Sequence, residues 1–229
     1  VTGARRLAGL RAALIDLDGT LVDTIGDFEV ALGRTLAALG LPAVGREFIA
    51  RTVGQGSEHL IRHTLAEAGG DAAVQYEAAW ALYQRHYHDI NGRHADVFPG
   101  VAEGLAGLRA AGWPLVCLTN KPTAFARDLL AAKGLADAFA HCFGGDAFER
   151  RKPDPLPLLR ACEALGTAPA ETLMVGDSRN DVQAARGAGC PVVLVRHGYN
   201  HGEPAEAAGA DWVIDRLDDL LAELPPRAG

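Results

Sequence analysis

The sequence predicts an α/β protein: a doubly wound parallel sheet interrupted by one inserted block of helices. Three observations predict it. Short apolar runs alternate with helical patterns over most of the 229 residues. The runs are continuous rather than alternating, as in strands buried on both faces. Between about residues 25 and 96 the alternation stops, and only helical periodicity is found.

The expected strands are 12–16, 114–119, 172–176, 191–196 and 211–214, each a brief aliphatic run. Between them, 101–111 carries Val101, Leu105 and Leu108 on one side, and further helices are expected at 125–133, 156–165 and 181–188. A sheet built this way gathers its site at the carboxyl ends of strands, and Asp16, Thr119 and Asp177 all fall at such ends. In the insert, Asp27 is expected to cap a helix bearing Phe28, Leu32, Thr35, Leu36 and Leu39, stopped by Gly40. Ser57 is expected to cap a second with Leu60, Ile61, Thr64 and Leu65 inward. A third carries Tyr76, Trp80, Tyr83, Tyr87 and Ile90 at spacings of four and three, the seam of a small bundle. The expected division is therefore a core of 1–24 and 97–229 with a helical unit of 25–96, Gly26 and Phe98-Pro99-Gly100 serving as hinge points.

Charge narrows the functional classes. Against 29 Asp+Glu stand 22 Lys+Arg, a formal charge of −7, which argues against nonspecific nucleic-acid binding. An anionic substrate then requires cations local to the site. Cys117, Cys142, Cys162 and Cys190 are widely spaced without a C-x-x-C pair and read as reduced, small apolar residues. No run is long enough to span a membrane. Arg11 interrupts the apolar part of the N-terminal stretch, so it does not read as a secretory signal, and a cytoplasmic location is expected.

Four pieces carry chemistry: Asp16-Leu17-Asp18-Gly19-Thr20, Leu118-Thr119-Asn120-Lys121, Lys152-Pro153-Asp154-Pro155 and Gly176-Asp177-Ser178-Arg179-Asn180-Asp181. If they converge, Asp16, Asp18, Asp177 and Asp181 bring four negative charges against one positive charge on Lys152. Two like charges at about 4 Å repel by roughly 4 kcal/mol even at an effective dielectric of 20. A divalent cation with oxygen ligands, Mg²⁺, offsets most of that, and a proton shared among neighbouring carboxylates offsets the rest. Such a site suits phosphoryl transfer. Asp16 would be the nucleophile, Asp18 the acid and base, and Lys152, Thr119 and the Asn120 N–H the holders of phosphate oxygens.

In these stretches, DLDGTLVDT, LTNKP, RKPDP and VGDSRNDVQAARGAGCP, the chain resembles the haloacid dehalogenase superfamily of phosphohydrolases over about residues 12–215. The resemblance implies a Rossmann-like core with a mobile helical cap inserted after the first motif. It implies Asp16 as nucleophile and Asp18 as acid/base. Asp16, the Asp18 carbonyl and Asp177 would bind Mg²⁺ with Asp181 in support, and Thr119, Asn120 and Lys152 would hold phosphate. The founding dehalogenases lack an acid two residues after the nucleophile, so Asp18 favours phosphate over halide chemistry. Val53-Gly54-Gln55-Gly56, Phe143-Gly144-Gly145-Asp146 and the 197–203 stretch HGYNHGE are most similar to bacterial phosphoglycolate phosphatases, which act on a small phosphorylated metabolite. A sugar or amino-sugar phosphatase, a phosphomutase, and a noncatalytic regulatory member are the alternatives. The sequence leaves oligomeric state open.

The V-G-Q-G segment follows no strand and lacks a third glycine at dinucleotide-loop spacing; Gly54, Gln55 and Gly56 are expected instead to cover the substrate, with a simple turn before the next helix as the alternative. His59 and His63, four apart, and His86, His88 and His94 read as solvated histidines rather than a zinc site. A substrate carboxylate would need a cationic partner, for which Arg51, Arg62, Lys121 and Arg179 are candidates.

Overall fold

The computed structural model describes residues 6–224; the ends of the expected core, 1–5 and 225–229, lie outside the described residues. Six parallel strands form the main sheet in the order β5-β4-β1-β6-β7-β8: β1 Ala12–Ile15, β4 Leu115–Leu118, β5 His141–Phe143, β6 Thr172–Gly176, β7 Val192–Val195 and β8 Trp212–Ile214. The central strand pairs with β4 on one side (Ile15 opposite Cys117) and β6 on the other (Ile15 opposite Val175). The chain leaves β1 for one half of the sheet and later crosses to the other. The carboxyl end of β1 is thus the point where crevices open in such folds.

Strand residues divide by parity. Ala13, Ile15, Leu115, Cys117, Leu173, Val175, Val193 and Val195 pack on one face with Val101, Leu105 and Leu108 of α5 (Val101–Ala110) and Ala126, Leu129 and Leu130 of α6 (Thr123–Ala132). Leu14, Val116, Leu118, Met174, Val192 and Leu194 pack on the other with α7 (Leu156–Leu165) and α8 (Arg179–Ala188). Burial on both faces explains why these strands read as unbroken apolar runs. Strand β5 was not expected. It is a three-residue edge strand whose His141 is exposed, too short and too polar to stand out.

The insert contains α1 Ile25–Ala38, α2 Arg46–Thr52, α3 Ser57–Glu67 and α4 Ala72–Ile90. Their apolar faces form a separate cluster that Phe125 of α6 joins and Tyr199 flanks. Helix α2 also escaped the sequence reading: in seven residues it buries only Ile49 and Thr52, too few to show a period. Two expected caps are corrected. Helix α1 starts at Ile25 after Thr24, and α3 starts at Ser57 after Gly56. Asp27, fully buried in the first turn of α1, instead accepts the backbone N–H groups of Gly92 (2.6 Å) and His94 (2.8 Å), tying together the two ends of the insert.

Both connections run side by side. Strands β2 (Val22–Asp23) and β3 (Asp96–Val97) pair antiparallel, Val22 opposite Val97. A Cβ on Gly26 would lie 2.2 Å from the His94 carbonyl oxygen, so a glycine there serves close approach of the two crossings.

Candidate active site

Asp16 follows β1 directly, its N–H bound to the Val175 carbonyl at 2.9 Å, and it is buried. The chain then turns tightly: the N–H groups of Thr20, Leu21 and Val22 all reach the Leu17 carbonyl, and Leu17, Leu21 and Val22 are buried. This turn holds Asp18 beside Asp16. Gly19, at φ +81°, is needed where the turn passes Asp177, since a Cβ would come within 2.5 Å of its Oδ2.

Lys152 projects into the same place from the loop before α7. Its ammonium lies 3.0 Å from Asp16 Oδ1 and 2.7 Å from Asp181 Oδ1, and donates to the Leu118 carbonyl at 2.8 Å. Asp181 is fully engaged: Oδ1 takes Lys152, while Oδ2 accepts the N–H groups of Asp177 and Ser178 (each 3.2 Å) and the Ser178 hydroxyl (3.1 Å). Asp181 thereby supports the β6–α8 turn that carries Asp177. Gly176 permits it, because a Cβ there would sit 2.3 Å from Asp181 Cγ. Asp177 accepts the Tyr199 N–H at 2.7 Å on Oδ2.

The electrostatics follow from this crowding. Burial pushes the Asp16 carboxyl up to about 6; Lys152 pulls it back, and Asp181 and Asp18 add to the rise. Burial, then Asp181 and Asp16, raise Asp177 well above the carboxylate range. Burial works against the Lys152 ammonium, but Asp16 and Asp181 outweigh it and hold its pKa above the ordinary lysine value. One lysine does not balance the group.

Carboxylate oxygens of Asp16, Asp177 and Asp181 lie within 4.8 Å of one another, the one such acidic, histidine or cysteine grouping among the described residues. Asp16 Oδ1 is buried, with the Lys152 ammonium at 3.0 Å as its partner. Hard oxygen donors crowded in one buried place, with one lysine between them and their carboxyl pKa values raised, fit a small dication such as Mg²⁺. The His59 and His63 rings lie tilted to one another, 3.8 Å between centroids, and belong to no such grouping.

Across the cleft, the loop after β4 brings Thr119, Asn120 and Lys121. The Thr119 hydroxyl accepts the Lys121 N–H at 3.2 Å, and Asn120 Nδ2 donates to the carbonyls of Lys152 and Gly54, both at 2.8 Å. Gly54 also accepts Asn180 Nδ2 at 3.2 Å, so the insert loop is bound to the core from two sides. Gly54 and Gly56 adopt φ of +108° and +90°. Both line the cleft, with Asp16, Asp18, Thr119, Asn120, Lys152 and Asp181; Gln55 does not.

The sequence reading missed several groups. Tyr83 and Tyr87, expected in a packing seam, are buried in the insert cluster and also line the cleft with Phe28, Leu60 and Phe125. Their spacing of four along α4 marks the shared face, but only the docked core turns that face into a wall of the site. Burial raises both phenols well above their usual pKa. Tyr199 stitches the site to the insert connection, its hydroxyl accepting the Thr24 N–H (2.8 Å) and donating to Asp23 (2.9 Å). Of the four candidate cations, Lys121 alone lines the cleft; Arg51, Arg62 and Arg179 are about half exposed and paired with Glu47, Glu58 and Glu203.

Residues 10–189 match the family model of haloacid dehalogenase-like hydrolases. A phosphoglycolate phosphatase of Cupriavidus necator is 48% identical over 216 residues, covering 94% of this chain and 93% of its own. That of Escherichia coli K12 is 37% identical over 233 residues, covering 94% and 92%. Among solved structures, a predicted phosphoglycolate phosphatase from Haemophilus somnus superposes with a TM-score of 0.89 at 30% identity over 93% of this chain and 97% of its own. CbbY from Rhodobacter sphaeroides, in complex with phosphate, gives 0.79 at 26% identity over 92% and 96%. With the parallel sheet, the helical insert and the buried carboxylates at the β1 and β6 ends, these matches show that the chain belongs to the haloacid dehalogenase-like hydrolase family.

Proposed function

We propose that this protein is a Mg²⁺-dependent phosphomonoesterase that hydrolyses 2-phosphoglycolate to glycolate and phosphate. The observation that carries the reading is the meeting of Asp16, Asp18, Asp181 and Lys152 in one cleft, from segments up to 165 residues apart. The similarity to phosphoglycolate phosphatases over nearly the whole chain supports the substrate.

In this reading Asp16 attacks phosphorus with a carboxylate oxygen, and Lys152 steadies that carboxylate while drawing charge from the phosphate oxygens. Thr119 and Asn120 orient the remaining oxygens. Asp18 delivers a proton to the bridging oxygen as glycolate leaves, then takes one from the water that hydrolyses the aspartyl phosphate. Asp16, Asp177 and the Asp18 carbonyl would hold Mg²⁺, with Asp181 fixing the turn that presents Asp177. The ion, when bound, neutralises the repulsion between a phosphate dianion and the acidic cluster. The phenol, phenyl and aliphatic walls contributed by Phe28, Leu60, Tyr83, Tyr87 and Phe125 exclude water from the reacting atoms.

Residues 25–96 act as the cap over a core of 1–24 and 97–229, a division supported by the separate apolar cluster of the insert. A cytoplasmic location fits four free cysteines and a metabolite substrate. Among the described residues no helix is long and apolar enough to cross a membrane.

A purified-protein panel of 2-phosphoglycolate, glucose 6-phosphate, glucosamine 6-phosphate and xylulose bisphosphate, read as phosphate release with Mg²⁺, tests the assignment. The expected outcome is a kcat/KM for 2-phosphoglycolate at least tenfold above the others. The bisphosphate is included because a CbbY variant that holds xylulose 1,5-bisphosphate shares the fold at a TM-score of 0.80 and 26% identity. Preference for a sugar phosphate would overturn the substrate assignment.

A further inference from the structure

We infer that Lys121 is the specificity-determining residue for the substrate's carboxylate, exchanging its present partner, Asp18, for that carboxylate when substrate enters. This inference rests on the phosphoglycolate reading and names the residue behind it.

The substrate is short, which confines the position of any such residue. In 2-phosphoglycolate one methylene separates the bridging oxygen from the carboxylate, so a carboxylate oxygen lies only about 3 Å from the bridging oxygen. The proton donor must itself stand about 3 Å from that bridging oxygen. A cation that reads the carboxylate must therefore stand close to Asp18. Lys121 Nζ is 3.0 Å from Asp18 Oδ1.

Among the described residues only two cations line the cleft, Lys121 and Lys152. Lys152 is committed to Asp16 and Asp181. That leaves Lys121 for a second negative charge on the substrate. Arg51, Arg62 and Arg179 have glutamate partners outside the cleft, and Arg62 also stacks at 3.8 Å over the Tyr76 ring.

The surroundings of Lys121 hold an ammonium in place without a second carboxylate. Its side chain is 2% exposed, its Nζ donates to the Tyr87 hydroxyl, and it lies 4.6 and 4.8 Å from the ring centroids of Tyr87 and Phe28. Aromatic faces attract a cation but leave its donors free for a directional partner. Its N–H is fixed on Thr119 Oγ1, and its carbonyl accepts the Gly145 N–H at 2.9 Å, so the ammonium is delivered from a rigid loop. Two of the three ammonium protons thus face Tyr87 and Asp18. Transfer of one from Asp18 to the substrate leaves Asp18 free to turn to the bridging oxygen. The same exchange selects the substrate: an uncharged leaving group offers nothing to replace Asp18.

The test compares 2-phosphoglycolate with 2-hydroxyethyl phosphate, which has the same two-carbon leaving group without the carboxylate, in wild type, K121M and K121R. Wild type is expected to favour 2-phosphoglycolate. In K121M the ratio of the two kcat/KM values is expected to fall about 10- to 100-fold, the range of a charge-assisted hydrogen bond, chiefly through KM for 2-phosphoglycolate. K121R, which keeps the charge, is expected to recover part of the ratio and reads it even if K121M does not fold. Equal losses for both substrates in K121M, or in K121R alone if K121M is unfolded, would overturn the inference and make Lys121 a support for Asp18. A wild type that ignores 2-phosphoglycolate would instead overturn the proposed function, and with it this role.

Discussion

Replacing Asp16 by Asn should stabilise the metal-free protein at neutral pH while removing its activity. The folded Asp16 carboxyl titrates at about 6 against 3.8 in an open chain, chiefly because it is buried. Between those values the folded protein holds a proton that the unfolded chain has released, so stability falls as pH rises through the window. Below 3.8 the contribution is fully present; above about 6 it is gone. At 1.36 kcal/mol per pH unit, ionising this carboxylate costs about 3 kcal/mol at pH 8. Asparagine has the same shape and no charge, so D16N should regain most of that. In a chain of this size about 3 kcal/mol corresponds to roughly 6–12 °C in Tm. The assay is thermal or urea unfolding of wild type and D16N in EDTA at pH 5 and pH 8. A gain at pH 8 that shrinks at pH 5, and shrinks again when Mg²⁺ is added at pH 8, is the expected pattern. Equal or lower stability of D16N at pH 8 in EDTA would refute the argument that this carboxylate is held ionised at a cost.

Chelation and pH act on the same cluster: EDTA should abolish phosphate release and excess Mg²⁺ restore it. The rise in Tm on adding Mg²⁺ should be larger at pH 8 than at pH 5, because burial raises the carboxyls of Asp16 and Asp177 and protons compete with the metal; equal shifts at both pH values would remove these carboxylates as the donors. Asp27→Ala should cost about 2–4 kcal/mol in urea unfolding, since it strips a buried carboxylate from the N–H groups of Gly92 and His94; a loss under about 0.5 kcal/mol would show that the two ends of the insert are held otherwise.

Most of the sheet was legible because β1, β4, β6 and β7 are buried on both sides and carry uninterrupted aliphatic runs. The edge strand β5 and helix α2 were not, since each buries too few side chains to leave a pattern. Asp27 shows a different failure. As an acid near a helix start it has the local signature of a cap, but its partners are Gly92 and His94, 65 and 67 residues away. Local propensity carries no information about a bond that distant. The spacing of Tyr83 and Tyr87 shows a buried helix face, yet that face also meets the loop bearing Lys121.

The chemistry was legible in the residue pattern alone. Acids at strand ends, a lysine in a proline-bound loop and a surplus of negative charge point to phosphate chemistry once they converge, because Coulomb repulsion depends on which groups meet. Which cation lies beside Asp18 emerged only from the folded chain. Lys121, Arg51, Arg62 and Arg179 are equivalent as charges along a chain. Packing of the insert against the core buries one of them beside Asp18 and leaves the other three with glutamates near solvent.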